Sequence, residues 1–141
     1  MGRLMEFLAR PRIWFFGYLV WFVVLFVLSE QHGDAVKVQT FPHSDKVAHA
    51  CYFAIGATLL GVGALARDPQ FPRRVLFVVL VVAGLAVGVF DEWHQSFTPG
   101  RDGNSPGDIA ADVLGSVIGF FVSVRLFRFA HRKSLLRGSA P

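Results

Sequence analysis

Four long runs of apolar residues, separated by short polar segments, constrain this chain more than any other feature. The runs cover residues 13–28, 47–65, 75–90 and 109–126. A helix that crosses the hydrocarbon core of a bilayer needs about 20 mostly apolar residues. The third run consists almost only of Val, Leu, Phe, Ala and Gly, so it lacks the polar face that a soluble bundle shows every 3.6 residues. The sequence therefore predicts an all-α integral membrane four-helix bundle, a single domain over 1–141 with spans at about 13–29, 47–65, 74–91 and 108–127.

The composition excludes several other classes of protein. Hydrophobic residues make up 53% of the chain and charged residues 17%, which is too apolar for a typical soluble domain. The net charge of +4 is not a sign of nucleic-acid binding, because no basic stripe with interleaved aromatic residues is present. Cys51 is the only cysteine, so an intramolecular disulfide is impossible.

The orientation in the membrane follows from where the basic residues fall. Eleven of the 14 lie at the two termini or in the short loop between the second and third runs, and only Lys37, Lys46 and Arg101 lie on the other side. Cytoplasmic loops are enriched in Lys and Arg. Both termini are therefore predicted to be cytoplasmic.

This orientation places three polar clusters together on the extracytoplasmic side. They are residues 45–49 (Asp-Lys-Val-Ala-His), residues 91–95 (Asp-Glu-Trp-His-Gln) followed by 99–101 (Pro-Gly-Arg), and residues 108–112 (Asp-Ile-Ala-Ala-Asp). Each cluster lies at the end of an apolar run. Ionisable groups that converge from several membrane helices indicate a site.

The spacing within the second run gives one side of that site. Asp45, His49 and Tyr52 are separated by four and then three residues, so they share one face of a helix. In the fourth run Asp108 and Asp112 are four apart. The small residues of a Gly-x-x-x-Gly motif that follows, at 115 and 119, allow close helix approach, which would bring the polar faces together.

His49 and Asp112 are the least easily explained by structure alone. Each lies about one turn inside apolar sequence, where an unpaired Asp costs roughly 2.5 kcal/mol or more. Such groups persist when they are paired or functional, and a purely structural polar lock between helices is the alternative. Asp45 and Asp108 have a simpler explanation as acidic residues in the first turn of a helix.

The residue types suit chemistry on a phosphate-containing lipid head group. Arg101 is the only arginine on the outer side, and a guanidinium binds phosphate in a bidentate manner. His49 with Asp45 one turn before it is predicted to form a base and its orienting group, and Glu92 at the membrane boundary is predicted to donate a proton. The remaining predicted substrate-binding residues are Gln95, Tyr52, Asp108 and Asp112.

Two other interpretations of the same residues stay open. In the first, carboxylates hold Mg²⁺ or a similar hard cation; its predicted ligands are Asp91, Glu92, Asp108 and Asp112. In the second, the protein is non-enzymatic and only binds or shields the lipid-linked molecule. That role needs the same pocket but no proton transfer.

The motifs D-K-x-x-H, D-E-x-H-Q-x-F-x-P-G-R and D-x-x-x-D-x-x-G-x-x-x-G together resemble the VanZ-like family of membrane proteins. The resemblance covers three of the four spans, from Asp45 to Gly119, and its middle motif is the most specific. It implies a bacterial cytoplasmic-membrane protein acting on the cell envelope, since founding members are similar to accessory proteins of glycopeptide resistance. For the non-enzymatic interpretation, the resemblance implies a membrane accessory protein that binds or shields a cell-wall precursor or a glycopeptide drug. The family has also been grouped with enzymes that act on lipid head groups. At position 112, where this chain has Asp, related sequences often carry asparagine.

Overall fold

The computed structural model describes residues 10–31, 43–101 and 103–138, with side chains described as far as residue 130. Within these ranges it contains four α-helices, which are α1 (Pro11–Ser29), α2 (Ser44–Arg67), α3 (Arg73–Gln95) and α4 (Pro106–Gly138). All four are long and apolar enough to cross a bilayer, α4 over Pro106–Ala130. The prediction of an all-α protein with four helices of membrane-spanning length is confirmed. Lys37, which entered the prediction of orientation, lies outside the described residues.

Proline and turn residues fix where the helices begin and end. Pro11 is the first residue of α1, a position where its missing N–H is not needed. Between α2 and α3, Pro72 precedes the first helical residue of α3. In the connection from α3 to α4, residues 96–105 (the α3–α4 loop), Gly100 and Asn104 have positive φ angles of 76° and 65°, and both residue types tolerate that conformation.

Contacts between helices give an up-down-up-down arrangement in which α2 and α4 run parallel. Lys46 near the start of α2 bonds Asp108 near the start of α4, and Gly61 further along α2 faces Ser123 of α4. These two helices form the most extensive interface of the bundle. A Cβ atom on Gly119 would lie 2.6 Å from the carbonyl oxygen of Ala54, so the backbones approach as closely as the Gly-x-x-x-Gly motif predicts.

The bundle has its apolar side chains on the outside and several polar side chains inside. Phe16, Phe121 and Val78 are 67%, 64% and 56% exposed, whereas the buried polar residues are Ser29, Asp91, Glu92, Gln95, Asp112, Ser116 and Ser123. A soluble protein of this size rarely exposes so much contiguous apolar surface. This distribution suits a helix bundle surrounded by lipid.

Most of the buried polar residues lie at one end of the bundle, which we call the polar end. It is the end at which α1 and α3 finish, at Ser29 and Gln95, and at which α2 and α4 begin, at Ser44 and Pro106. The three polar clusters of the sequence therefore meet at one end of three adjacent helices.

Candidate functional site

The centre of the polar end is a contact between α2 and α4. The Nδ1 atom of His49 lies 2.9 Å from Oδ1 of Asp112, and the Asp112 side chain is fully buried while that of His49 is 18% exposed. Because Asp112 fixes one ring nitrogen, the other nitrogen, Nε2, is directed away from it. Nε2 has no hydrogen-bond partner among the described residues.

Gly88 of α3 makes room for the second oxygen of Asp112. A Cβ atom on Gly88 would lie 2.5 Å from Oδ2 of Asp112, so no other residue fits at position 88 without displacing the carboxylate. Within the described part of the chain Oδ2 is buried and has no hydrogen-bond partner. A buried carboxylate oxygen of this kind is costly unless something else satisfies it.

Glu92 contributes a carboxylate from α3 and also holds the start of α4. Its side chain is 1% exposed, and Oε2 accepts a hydrogen bond from the backbone N–H of Ser105 at 2.6 Å. The backbone carbonyl of Glu92 accepts a second bond from the N–H of Asn104. Its other carboxylate oxygen, Oε1, is buried and unpaired among the described residues.

Asp108 and Lys46 form an ion pair at the rim. The ammonium of Lys46 lies 2.9 Å from Oδ1 of Asp108 and 3.2 Å from Oδ2 of Asp45. The predicted pair of Asp45 with His49 is not formed, since Asp45 bonds Lys46 instead. The orienting carboxylate of His49 is Asp112 on a different helix, because the register of α2 against α4 brings these two side chains together.

His49, Glu92 and Asp108 converge on one small volume. One potential ligand atom from each lies within 4.8 Å of the others, and the three residues come from α2, α3 and α4. We call these three residues, with Lys46 and Asp112, the histidine–carboxylate cluster. These three residues come one from each of the three sequence motifs.

Asp91, a predicted ligand in the cation interpretation, belongs to a separate group of bonds. It accepts hydrogen bonds from the hydroxyl of Ser29 and, at 2.7 Å, from Nε2 of Gln95. All three side chains are buried. Adjacent residues on a helix point about 100° apart, so Asp91 faces α1 whereas Glu92 faces α4.

Arg101 bonds the end of α1 rather than the histidine–carboxylate cluster. Its guanidinium donates to the carbonyl oxygens of Leu28 at 2.9 Å and Gln31 at 3.3 Å, and the hydroxyl of Thr98 donates to the carbonyl of Ser29. Carbonyls at the end of a helix have no partner four residues further on and are open to such donors. The α3–α4 loop is therefore fastened to the end of α1 by its arginine and its threonine.

Tyr52 takes part in neither group. Its hydroxyl donates to the carbonyl of Trp21 at 2.8 Å, and the indole N–H of Trp21 donates to the carbonyl of Tyr52 at 2.9 Å. The two rings also stack, with centroids 5.3 Å apart. This reciprocal pair locks α1 to α2.

Sequence reasoning missed three contributors to the polar end. Neither Ser29 nor Lys46 was among the predicted site residues. Gly88 was missed although Gly84 and Gly88 form a second Gly-x-x-x-Gly motif, the same signal that was used for the fourth run. A small pocket between the helices is lined by none of the predicted site residues; its lining includes Tyr18, Trp21, Phe53, Leu80 and Ser116.

Comparisons of this chain with protein-family models, with curated proteins and with solved structures gave no match.

Proposed function

We propose that this chain is a multi-pass protein of a bacterial cytoplasmic membrane whose polar end faces outward and acts on a phosphate-containing head group. The substrate is a lipid or a lipid-linked precursor of the cell envelope. The observation that carries the proposal is the pair of His49 and the buried Asp112, with one nitrogen of the imidazole within 4.8 Å of a carboxylate oxygen of Glu92 and of Asp108. The motifs that resemble the VanZ-like family point to the same cellular setting.

The depth of the site favours a lipid as substrate. The cluster lies within the first turns of α2 and α4 and the last turn of α3, where a spanning helix meets the head-group region. Exposed aromatic side chains surround it, with Trp93 52% and Phe97 69% exposed. Such residues are enriched at the boundary between lipid and water, so head groups reach this end by lateral diffusion.

The proposed reaction is hydrolysis of a phosphate ester. A water molecule attacks phosphorus while Nε2 of His49 takes up one of its protons, which Asp112 favours by stabilising the charged imidazolium. The P–O bond to the leaving group breaks, and its oxygen takes a proton from Glu92. Proton transfer from His49 back to Glu92 restores both residues. Lys46 and the unused N–H groups of Arg101 attract the phosphate.

The experiment compares binding and turnover in proteoliposomes that contain a lipid with a labelled phosphate head group. His49→Asn keeps a donor near the position of Nδ1, so the bond to Asp112 survives, but it removes Nε2. Head-group release should fall by about 10²-fold or more while lipid binding stays within about twofold. His43→Asn is the matched control, because His43 is exposed and has a positive φ of 63° that asparagine tolerates.

A non-enzymatic accessory protein gives a different pattern in the same assay. Without any turnover, His49→Asn would leave binding intact and Arg101→Lys would weaken it, because lysine lacks the planar fork. Full head-group release by His49→Asn would falsify the proposed role of Nε2.

A further inference from the structure

The histidine–carboxylate cluster has the composition of a transition-metal site. We propose that His49, Glu92 and Asp108 bind a divalent cation of the Zn²⁺ type, with one coordination position open. The proposal keeps the lipid substrate of the proposed function, on which it rests for the identity of the fourth ligand, but it replaces the catalytic steps. Nε2 of His49 and the carboxylate of Glu92 cannot act as base and proton donor while they bind a cation, and the cation would instead activate the attacking water. Binding of the cation itself requires no lipid substrate and is tested separately.

The first argument is the donor set. One imidazole nitrogen and two carboxylate oxygens lie within 4.8 Å of one another. Metal bonds of about 2.0–2.2 Å at tetrahedral angles separate ligand atoms by about 3.4 Å, so the side chains need to move inward by about 1 Å. His49 and Asp108 are partly exposed, with side chains 18% and 14% accessible, and are free to make this adjustment. Imidazole favours Zn²⁺ and similar metals over Mg²⁺ and Ca²⁺, which prefer all-oxygen sites.

The second argument is a buried oxygen without a partner. Glu92 is 1% exposed, its Oε2 is bonded to Ser105, and its Oε1 has no partner among the described residues. A buried carboxylate oxygen loses its solvation on folding and needs a compensating partner. A cation between Glu92, His49 and Asp108 supplies that partner.

The third argument is the way His49 is held. Its Nδ1 bonds the fully buried Asp112, and Nε2 is free. Metal-bound histidines almost always direct their other ring nitrogen to a carboxylate or carbonyl, which fixes the tautomer and strengthens the ligand. Asp112 is therefore a positioning residue that acts on the cation through His49.

The fourth argument is charge. The cluster contains three carboxylates, one ammonium and one imidazole, so its formal charge is −2 when the imidazole is neutral. A divalent cation neutralises this charge. An anionic phosphate is attracted more strongly by the loaded cluster than by the bare one, in which Lys46 alone carries a positive charge, and this connects the cation to the proposed function.

The binding test uses the purified full-length protein in detergent after removal of metal with a chelator. Titration with Zn²⁺ should give one equivalent bound per chain, and Mg²⁺ should not compete at equal concentration. His49→Gln and Glu92→Gln should each weaken Zn²⁺ binding by 100-fold or more, and Asp112→Asn by about 10–100-fold. His43→Asn, a change at an exposed histidine, should leave the affinity unaltered.

One further variant and a spectroscopic probe separate a ligand role from a structural one. Lys46→Met removes a positive charge that competes for Asp108, so Zn²⁺ affinity should rise, whereas general damage to the fold would lower it. Co²⁺ reports its ligands by its visible absorption, and that spectrum should change in His49→Gln. One equivalent of tight Zn²⁺ in the folded His49→Gln or Glu92→Gln variant, or no Zn²⁺ bound by the wild type, overturns the site.

The lipid assay then distinguishes failure of this site from failure of the proposed function. With bound Zn²⁺, chelation should abolish head-group release and added Zn²⁺ should restore it. Release that persists after chelation supports the proposed function without the cation. Bound Zn²⁺ without any release supports the cation site and contradicts the enzymatic function.

Discussion

The space between Gly88 and Asp112 gives the sharpest prediction about the architecture of the site. A Cβ atom at position 88 would lie 2.5 Å from Oδ2 and 3.2 Å from Cβ of Asp112, well inside van der Waals contact. In an unhindered helix Gly→Ala stabilises by up to about 1 kcal/mol, whereas forcing a methyl group into a packed interior costs about 1–3 kcal/mol. We expect Gly88→Ala to lower the free energy of unfolding by about 1–2 kcal/mol.

The matched control is Gly17→Ala in α1. Its Cβ atom would lie 3.4 Å from the nearest atom, Cδ2 of Leu59, which is ordinary contact, so this variant should be as stable as the wild type or slightly more so. Reversible unfolding of both variants in mixed micelles, followed by circular dichroism, gives the difference. We expect the two variants to differ by about 2 kcal/mol.

A double-mutant cycle identifies the cause of any loss at position 88. Asp112→Ala removes the group against which the new methyl clashes, so the cost of Gly88→Ala should largely disappear in the Asp112→Ala background. Residues in direct contact typically show coupling of 0.5–3 kcal/mol. If Gly88→Ala were as stable as Gly17→Ala, or if its cost were the same in both backgrounds, the close approach of α3 to Asp112 would be refuted.

Three further predictions concern the rest of the polar end. In a cysteine-free background, a membrane-impermeant maleimide applied to intact cells should label Phe97→Cys but not Gln70→Cys; the reverse pattern would place the polar end in the cytoplasm. Ser29→Ala should destabilise the protein by about 1–3 kcal/mol in a thermal or denaturant assay, because it removes a donor from the buried carboxylate of Asp91, and Ser29→Ala with Asp91→Asn should recover part of the loss. Tyr52→Phe should cost about 1 kcal/mol through loss of one hydrogen bond and leave head-group release unchanged, and a large fall in release would return Tyr52 to the site.

The helices were predictable because each depends on a local property of the sequence. Apolar runs of 16 to 19 residues, extended by the residues that flank them, have few alternatives to a membrane span, and Pro11 and Pro72 mark helix starts by their own geometry. The need of His49 and Asp112 for partners was predictable too, since an isolated ionisable group in lipid is costly. The sequence therefore indicated that each of these two residues needs a polar partner, without indicating which one.

The choice of partners was not predictable, because it depends on the register between helices. Spacing along α2 suggested Asp45 as the orienting group of His49, but the parallel packing of α2 on α4 places Asp112 against the ring and leaves Asp45 with Lys46. Arg101 was predicted to bind phosphate. Its bonds to the end of α1 could not be predicted, because they depend on the path of a ten-residue loop. The role of a short polar side chain such as Ser29 cannot be predicted from the sequence, because it depends on which side chain the fold places next to it.

The parallel pairing of α2 with α4 has a consequence for biosynthesis. These helices are separated in the chain by α3, yet they form the most extensive interface, and α4 is the last of the four described helices to leave the ribosome. Until it inserts, the His49 ring has no Asp112 and the Glu92 carboxylate has no Ser105 N–H. An unfinished chain therefore leaves these two polar groups without their partners, and such groups are what chaperones and proteases can recognise. The addition of α4 pairs both groups at once, so the same contacts that build the candidate site also mark the four described helices as assembled.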